Sequence, residues 1–174
     1  MGGMNDPNAN AFAGNVHRVA YSASIWPVGP VTYDASVAEG TANMVHAVNT
    51  YAAQCPDSRI RVKGYSEGAR AAGDALLVLD QGPYADRITG RLYGDPRNPG
   101  GIEDSFRGMS AFGITMTGTR PATATIPIEE VCNDAPGDRD GICSLPGPVT
   151  NLIGFADGVY GYMLGGSHGY DLND

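Results

Sequence analysis

Five consecutive residues, Gly64-Tyr65-Ser66-Glu67-Gly68, constrain the fold of this chain more than any other stretch. A Gly-x-Ser-x-Gly run suits the point where a strand turns sharply into a helix. The serine is held in a strained turn with its hydroxyl pushed out of the sheet, and the flanking glycines remove Cβ atoms that would clash there. Five residues alone are weak evidence, because 25 glycines in 174 residues make a chance match a real risk. The flanking sequence strengthens the reading. A short strand from Arg59 to Lys63 precedes the run, and an alanine-rich helix from about Glu67 to Leu79 follows, with Ala69, Ala72, Leu76 and Leu79 inward. The N–H groups at the start of such a helix favour a developing anion. Ser66 is therefore the candidate nucleophile; the alternative is a glycine-rich turn without chemistry.

The rest of the chain repeats the alternation of strand and helix. Val16 to Ile25 alternates as a strand does. Asp34 to Gln54 reads as a helix whose inner stripe is Val37, Thr41, Met44, Val45, Val48, Tyr51 and Ala52. Ser36 and Glu39 suggest a capping box at its start, Glu39, Asn43, His46 and Thr50 line its other face, and Pro56 follows its end. Arg87 to Tyr93 and Ala124 to Cys132 read as further strands, with residues 96 to 125 irregular between them. Val149 to Met163 reads as a helix weakened by Gly154, Gly158 and Gly161. This order predicts an α/β fold: one domain over residues 1–174 with a mostly parallel sheet covered on both faces. Functional groups of such sheets gather at the carboxyl ends of the strands.

Composition narrows the function classes. Charged residues are 17% and apolar residues 42%, a globular rather than disordered balance. A formal net charge of -8 repels nucleic acid and anionic membranes, so no nucleic-acid partner is expected. No apolar run is long enough for a transmembrane segment. Met1 to Asp6 has neither the basic nor the apolar region of a signal peptide, so export would use another route or follow an earlier cleavage. Cys132 and Cys143 bracket a short loop rich in Gly, Pro and Asp, which suggests a disulfide and an oxidising environment. Cys55 is left as a free thiol.

A serine hydroxyl needs a base, and imidazole is the usual one. In a strand–Ser–helix site the order along the chain is serine, acid, histidine. His17 and His46 precede Ser66, and His46 lies on the polar helix face, so His168 in Gly165-Gly166-Ser167-His168-Gly169-Tyr170 remains. The acid is sought in the loop after the last strand. There Asp134, Asp138 and Asp140 cluster between the two cysteines, Asp95 at the end of the previous strand is a further candidate, and turn chemistry is the bland alternative for the cluster. Asp138-Arg139-Asp140-Gly141 fails as a calcium loop, because Pro136 and Gly147 fall on ligand positions. The histidines are far apart and no Cys-x-x-Cys pair occurs, so neither a metal nor another cofactor is expected.

Several segments together resemble the PE-PPE-domain hydrolases, relatives of the cutinases. They are Gly2-Gly3, Val19 to Ala23, Tyr33 to Gly40, Gly64 to Ala69, Tyr93 to Gly101, Asp140-Gly141-Ile142 and His168-Gly169-Tyr170. The resemblance implies a cutinase-like α/β-hydrolase fold, a three-layer sandwich. It also implies a serine esterase or lipase that cleaves short- to medium-chain or cell-envelope lipid esters through Ser66, Asp140 and His168. Cutinases carry an Asp three residues before a cysteine, as Asp140 stands to Cys143, and Cys-Pro before the nucleophile strand, as in Cys55-Pro56. Their partner for that earlier cysteine lies near the N-terminus, where this chain has none. The resemblance places the oxyanion donors at the N–H of Glu67 and near Gly3 or Met4. It further implies secretion or envelope association, or a virion location if a phage encodes the chain.

Two departures from the family stand out. Glu67 occupies a position that is usually Gln. The family's apolar first strand, immediately before Gly2-Gly3, is missing here because Met1 stands at that junction. An upstream start, a rearranged domain or a partner subunit that completes the sheet would each account for it. Both departures support the alternative reading, a catalytically inactive structural or binding module of a larger assembly such as an actinobacteriophage virion.

Overall fold

A computed structural model describes residues 1–147 and 152–174. The elements that position the site run in the order α1 (Tyr33–Gln54), β1 (Ile60–Tyr65), α2 (Glu67–Leu79), β2 (Ile88–Tyr93), α3 (Ile102–Ser105), β3 (Ser110–Ala111), β4 (Ile114–Thr115), β5 (Ile128–Val131) and α4 (Leu152–Tyr160). Three strands form a parallel sheet in the order β1-β2-β5. The register pairs Ile60 with Ile88 and Tyr65 with Tyr93 across β1 and β2, then Tyr93 with Val131 across β2 and β5. All three strands therefore end at one rim. On its other side β1 meets Met1, whose amino group donates to the Lys63 carbonyl and whose carbonyl accepts from the Tyr65 N–H.

Side-chain alternation divides the apolar residues between the faces of the sheet. Val62, Ile88 and Leu92 join Val37, Met44 and Val48 of α1 and Ala69, Ala72, Ala75 and Leu76 of α2 in the main core. The alanines let α2 lie close to the strands. A Cβ at Gly90 would fall 2.4 Å from Leu76 Cδ1, so that glycine makes room for the helix. Tyr93, with Tyr65 and Val131 partly buried beside it, packs with Ala9, Phe12 and Leu172, so a second, smaller core forms from the N-terminal loop and the C-terminal tail. The tail is anchored by Lys63 Nζ, which donates to the carbonyls of Leu172 (3.0 Å) and Asp174 (2.6 Å).

Three local expectations are corrected. The capping box does not form: Thr32 caps α1 by accepting the Ala35 N–H, while Ser36 is buried against Glu67 and Glu39 bonds Ser22. Tyr51 is 47% exposed, because the helix end reaches past the core. Residues 16–25 join no ladder among the described residues, although Val19, Tyr21 and Ala23 are buried in strand-like alternation. Their backbone groups find other partners: the Ala23 carbonyl accepts from Asn5 N–H, Ala20's from Asn43, and the Tyr21 N–H donates to Pro7. Of the expected helix over 149–163, residues 149–151 lie outside the described residues, and Leu152–Tyr160 is helical. A wide π turn, Gly161–Gly165, continues it.

The stretch after β2 is ordered by buried charge rather than by periodicity. Glu103 is 1% exposed and accepts from the Arg70 guanidinium (2.7 Å), the Tyr33 hydroxyl (2.8 Å) and both the N–H and hydroxyl of Thr117 (3.0 and 2.7 Å). Arg97 donates to Asp74 (2.9 Å) and to the Gly118 carbonyl (2.8 Å). The β3–β4 hairpin is tied to the start of α1 through Asp34, which accepts the Thr115 N–H and hydroxyl at 2.8 and 2.7 Å.

Cys132 and Cys143 form a disulfide across a separation of 11 residues. Closing a loop of that size restricts the unfolded chain, so replacing both cysteines by alanine is expected to cost about 2–4 kcal/mol. Urea midpoints of the wild-type and variant proteins measure it, and an unchanged midpoint would refute it.

Candidate active site

The elbow at Ser66 has the backbone the sequence demands. Ser66 sits at φ 57 and ψ -123, a conformation that side chains other than glycine rarely adopt, directly between β1 and α2. Its N–H donates to the Tyr93 carbonyl at 2.9 Å, which fixes the turn to the end of β2. Both glycines of the run are close approaches. A Cβ at Gly64 would lie 2.4 Å from the Gly68 carbonyl oxygen, and one at Gly68 would lie 2.1 Å from that of Gly2. The second contact puts the N-terminal segment on top of the elbow. At Gly3, a Cβ would lie 3.1 Å from Ser66 Cβ, so the Gly3–Met4 backbone borders the serine.

At the start of α2, Ala69 and Arg70 N–H both donate to the Ser66 carbonyl. The N–H groups of Glu67 and Gly68 precede that ladder, as the first N–H groups of any helix do. They are the donors available to an anion at the elbow.

Asp140 and His168 meet at the same rim. His168 Nδ1 lies 2.7 Å from Asp140 Oδ2. Asp140 is fully buried; its Oδ1 accepts the Ile142 N–H (2.9 Å) and its Oδ2 the Tyr170 hydroxyl (2.5 Å). A Cβ at Gly94, the residue after β2, would fall 2.7 Å from His168 Cε1 and 3.0 Å from Asp140 Oδ2. The imidazole thus packs over the end of the strand whose last carbonyl holds the Ser66 N–H. The Tyr65 ring stacks on the imidazole at 5.0 Å between centroids, and its hydroxyl donates to the His168 carbonyl at 2.9 Å.

The other candidate acids are engaged elsewhere. Asp138 accepts the Ser167 hydroxyl at 2.7 Å, which steadies the loop next to His168. Asp95 is buried and paired with Arg120. His17 and His46 are exposed, His46 on the outer face of α1.

Sequence reasoning assigned no role to Tyr65, Asn133 or Tyr170. Tyr170 packs edge-on against the imidazole and donates to Asp140, and it accepts the Asn133 N–H at 3.2 Å. Burial and the bond to Asp140 hold its hydroxyl far above the usual phenol range, so it is a donor at every working pH. Asn133 also donates to the Ser167 carbonyl at 2.6 Å. No periodicity marks these residues; only their positions beside Ser66, Cys132 and His168 could have drawn notice.

Glu67 resolves one departure noted above. Its side chain turns into the protein, 2% exposed, where Oε1 accepts from the Ser36 hydroxyl (2.5 Å) and the Ser24 N–H (3.2 Å). Burial, only partly offset by those two bonds, pushes its carboxyl up to about 7.

The site combines a strained alcohol, a carboxylate-oriented imidazole and the N–H groups of a helix start, which are the parts needed for acyl transfer. The cutinase family model matches residues 6–152. Acetylxylan esterase 2 of Talaromyces purpureogenus is 42% identical over 48 residues, a match covering 28% of this chain and only 20% of that protein. Among solved structures, an acetylxylan esterase superposes with a TM-score of 0.53 at 23% identity, covering 87% of this chain and 81% of that one. The catalytic core domain of acetyl xylan esterase from Trichoderma reesei gives a TM-score of 0.49 at 22% identity, covering 86% and 79%. The first of these structural likenesses supports a cutinase-like α/β fold with a parallel sheet.

Proposed function

The chain belongs to the cutinase family of carboxylic-ester hydrolases, and from that premise we propose that Ser66, His168 and Asp140 are its catalytic triad. The observation that carries the reading is the 2.7 Å contact between His168 Nδ1 and a fully buried Asp140, beside the strained elbow that presents Ser66.

In this mechanism Ser66 Oγ attacks the ester carbonyl carbon as His168 Nε2 takes its proton. Asp140 holds Nδ1–H and stabilises the imidazolium. The Glu67 N–H and one from Gly3–Met4 receive the oxyanion. The alcohol leaves with the proton from His168, and water, activated by the same imidazole, then frees the acid from Ser66. The inward turn of Glu67 supports an active site over an inert module, because its carboxyl bonds Ser36 in the interior instead of crowding the place where the oxyanion forms.

The substrates proposed are esters of short to medium acyl chains. The acetyl esters in the relatives' names form the short end of that range, and envelope lipid esters, suggested by the PE-PPE-like segments, the other. The disulfide supports work in an oxidising compartment, outside the cell, in its envelope or on a virion. No described helix is long and apolar enough to cross a membrane.

A fluorophosphonate probe tests the assignment. The expected result is one modified residue, Ser66, by peptide mapping, with labelling lost in His168→Ala. Absence of labelling, or labelling indifferent to His168, would refute it.

A further inference from the structure

Glu67 joins three segments around the elbow. Its Oε1 holds Ser36 of α1 and the Ser24 N–H of the preceding loop, and Ser36 Oγ also accepts that same N–H at 3.1 Å. The loop in turn holds the N-terminal segment. The Tyr21 hydroxyl donates to the Gly2 carbonyl at 2.7 Å, and the Asn5 N–H to the Ala23 carbonyl at 2.8 Å. Both backbone stretches assigned above as oxyanion donors, residue 67 and Gly3–Met4, are thus tied to one carboxyl group. Its other oxygen, Oε2, is buried without a hydrogen-bond partner among the described residues.

We propose that Glu67 is a positioning residue for the oxyanion donors, that it works in its neutral form, and that ionisation of its carboxyl turns the site down. The inference rests on the catalytic reading above and adds a regulatory group to it. A neutral carboxyl keeps both bonds through Oε1 and brings no charge. An ionised one buries a negative charge with donors on one oxygen only, one residue from where the substrate's own negative charge develops.

The surroundings do not neutralise that charge. The loop before α1 presents Tyr21, which feels both Glu67 and, from the N-terminal loop, Asp6, and neither of these brings a positive charge. From α1 comes Ser36, while Glu39 of the same helix turns outward to Ser22. Arg70, one turn along α2, is committed to Glu103 and Asp74. With the carboxyl pushed up to about 7, the change falls within the working range. The sign follows: rising pH through that point ionises Glu67 and lowers activity.

The experiment compares kcat/KM for p-nitrophenyl butyrate in the wild type and Glu67→Gln from pH 5.5 to 8.5. The ratio of variant to wild type cancels every pH effect that the two proteins share. It is expected to rise about tenfold across that range, the effect of one modest charge–charge term on the barrier. Ser36→Ala removes a hydrogen bond that favours the ionised form, so its own alkaline decline should move to higher pH. Fluorophosphonate labelling rates supply a second readout. A pH-independent ratio, or a Ser36→Ala profile that does not move, overturns the role of Glu67 while labelling of Ser66 persists. No labelling in any of the proteins overturns the site itself.

Discussion

Ser66→Ala is expected to lower kcat for p-nitrophenyl butyrate about a millionfold, the scale on which serine triads fail when the nucleophile is removed. The loss is that large because the parts act as one unit. His168 can move a proton only if an alcohol stands ready to give it up, and the burial of Asp140 matters only through the imidazole. What remains is the oxyanion donors at the start of α2 and whatever binding orients the ester, so KM should change far less than kcat. Circular dichroism should be unchanged, since alanine keeps the N–H that bonds Tyr93. A variant retaining even a few per cent of wild-type turnover would mean that another group performs the attack.

Arg120→Ala should be the most destabilising single substitution proposed, at about 3–5 kcal/mol, the cost of leaving a buried charge without its partner. Asp95 is 1% exposed and forms a two-pronged pair with the Arg120 guanidinium, which also reaches Glu130 at 3.3 Å and the Arg70 carbonyl at 3.4 Å. Removing the guanidinium leaves the Asp95 charge buried beside a second carboxyl group, that of Glu130. Glu130 already sits well above the usual carboxylate range through burial and the nearness of Asp95. A domain of this size should lose about 6–20 °C of Tm. Replacing Arg120, Asp95 and Glu130 together with apolar residues of similar volume should cost much less, because no charge is then stranded. A single variant that melts within a degree of wild type would show that the pair carries no net weight.

The two predictions draw on parts of the molecule that differ in how openly the sequence states them. Residues 60–79 were legible almost to the residue. Strand, elbow and helix are contiguous there, so their hydrogen bonds and packing are local, and the steric demand at Ser66 selects glycines at fixed offsets. Asp140 was legible only by its spacing to Cys143, and His168 by elimination, because nothing local marks a residue whose partner lies 28 positions away. Residues 96–125 were unreadable for a different reason. Glu103, Arg97 and Arg120 look like ordinary surface charges in the sequence, yet Glu103 is buried against Arg70, Arg97 and Arg120 are held by Asp74 and Asp95, and ionic pairing leaves no periodic trace. The strand expected over 16–25 shows the opposite failure. Its alternation is real and Val19, Tyr21 and Ala23 are buried, but a strand also needs a neighbour's backbone, which alternation cannot supply.

The sequence by itself determined the strained elbow at Ser66, the parallel α/β order and the residues able to serve as base and acid, because each follows from local sterics or from the chemistry a side chain can perform. Only the tertiary structure decided which acid meets the imidazole, where the Glu67 carboxyl points and what orders the stretch after β2. Those outcomes depend on long-range approach and on burial, which sets the strength of every charge and is a property of the packed chain rather than of any residue in it.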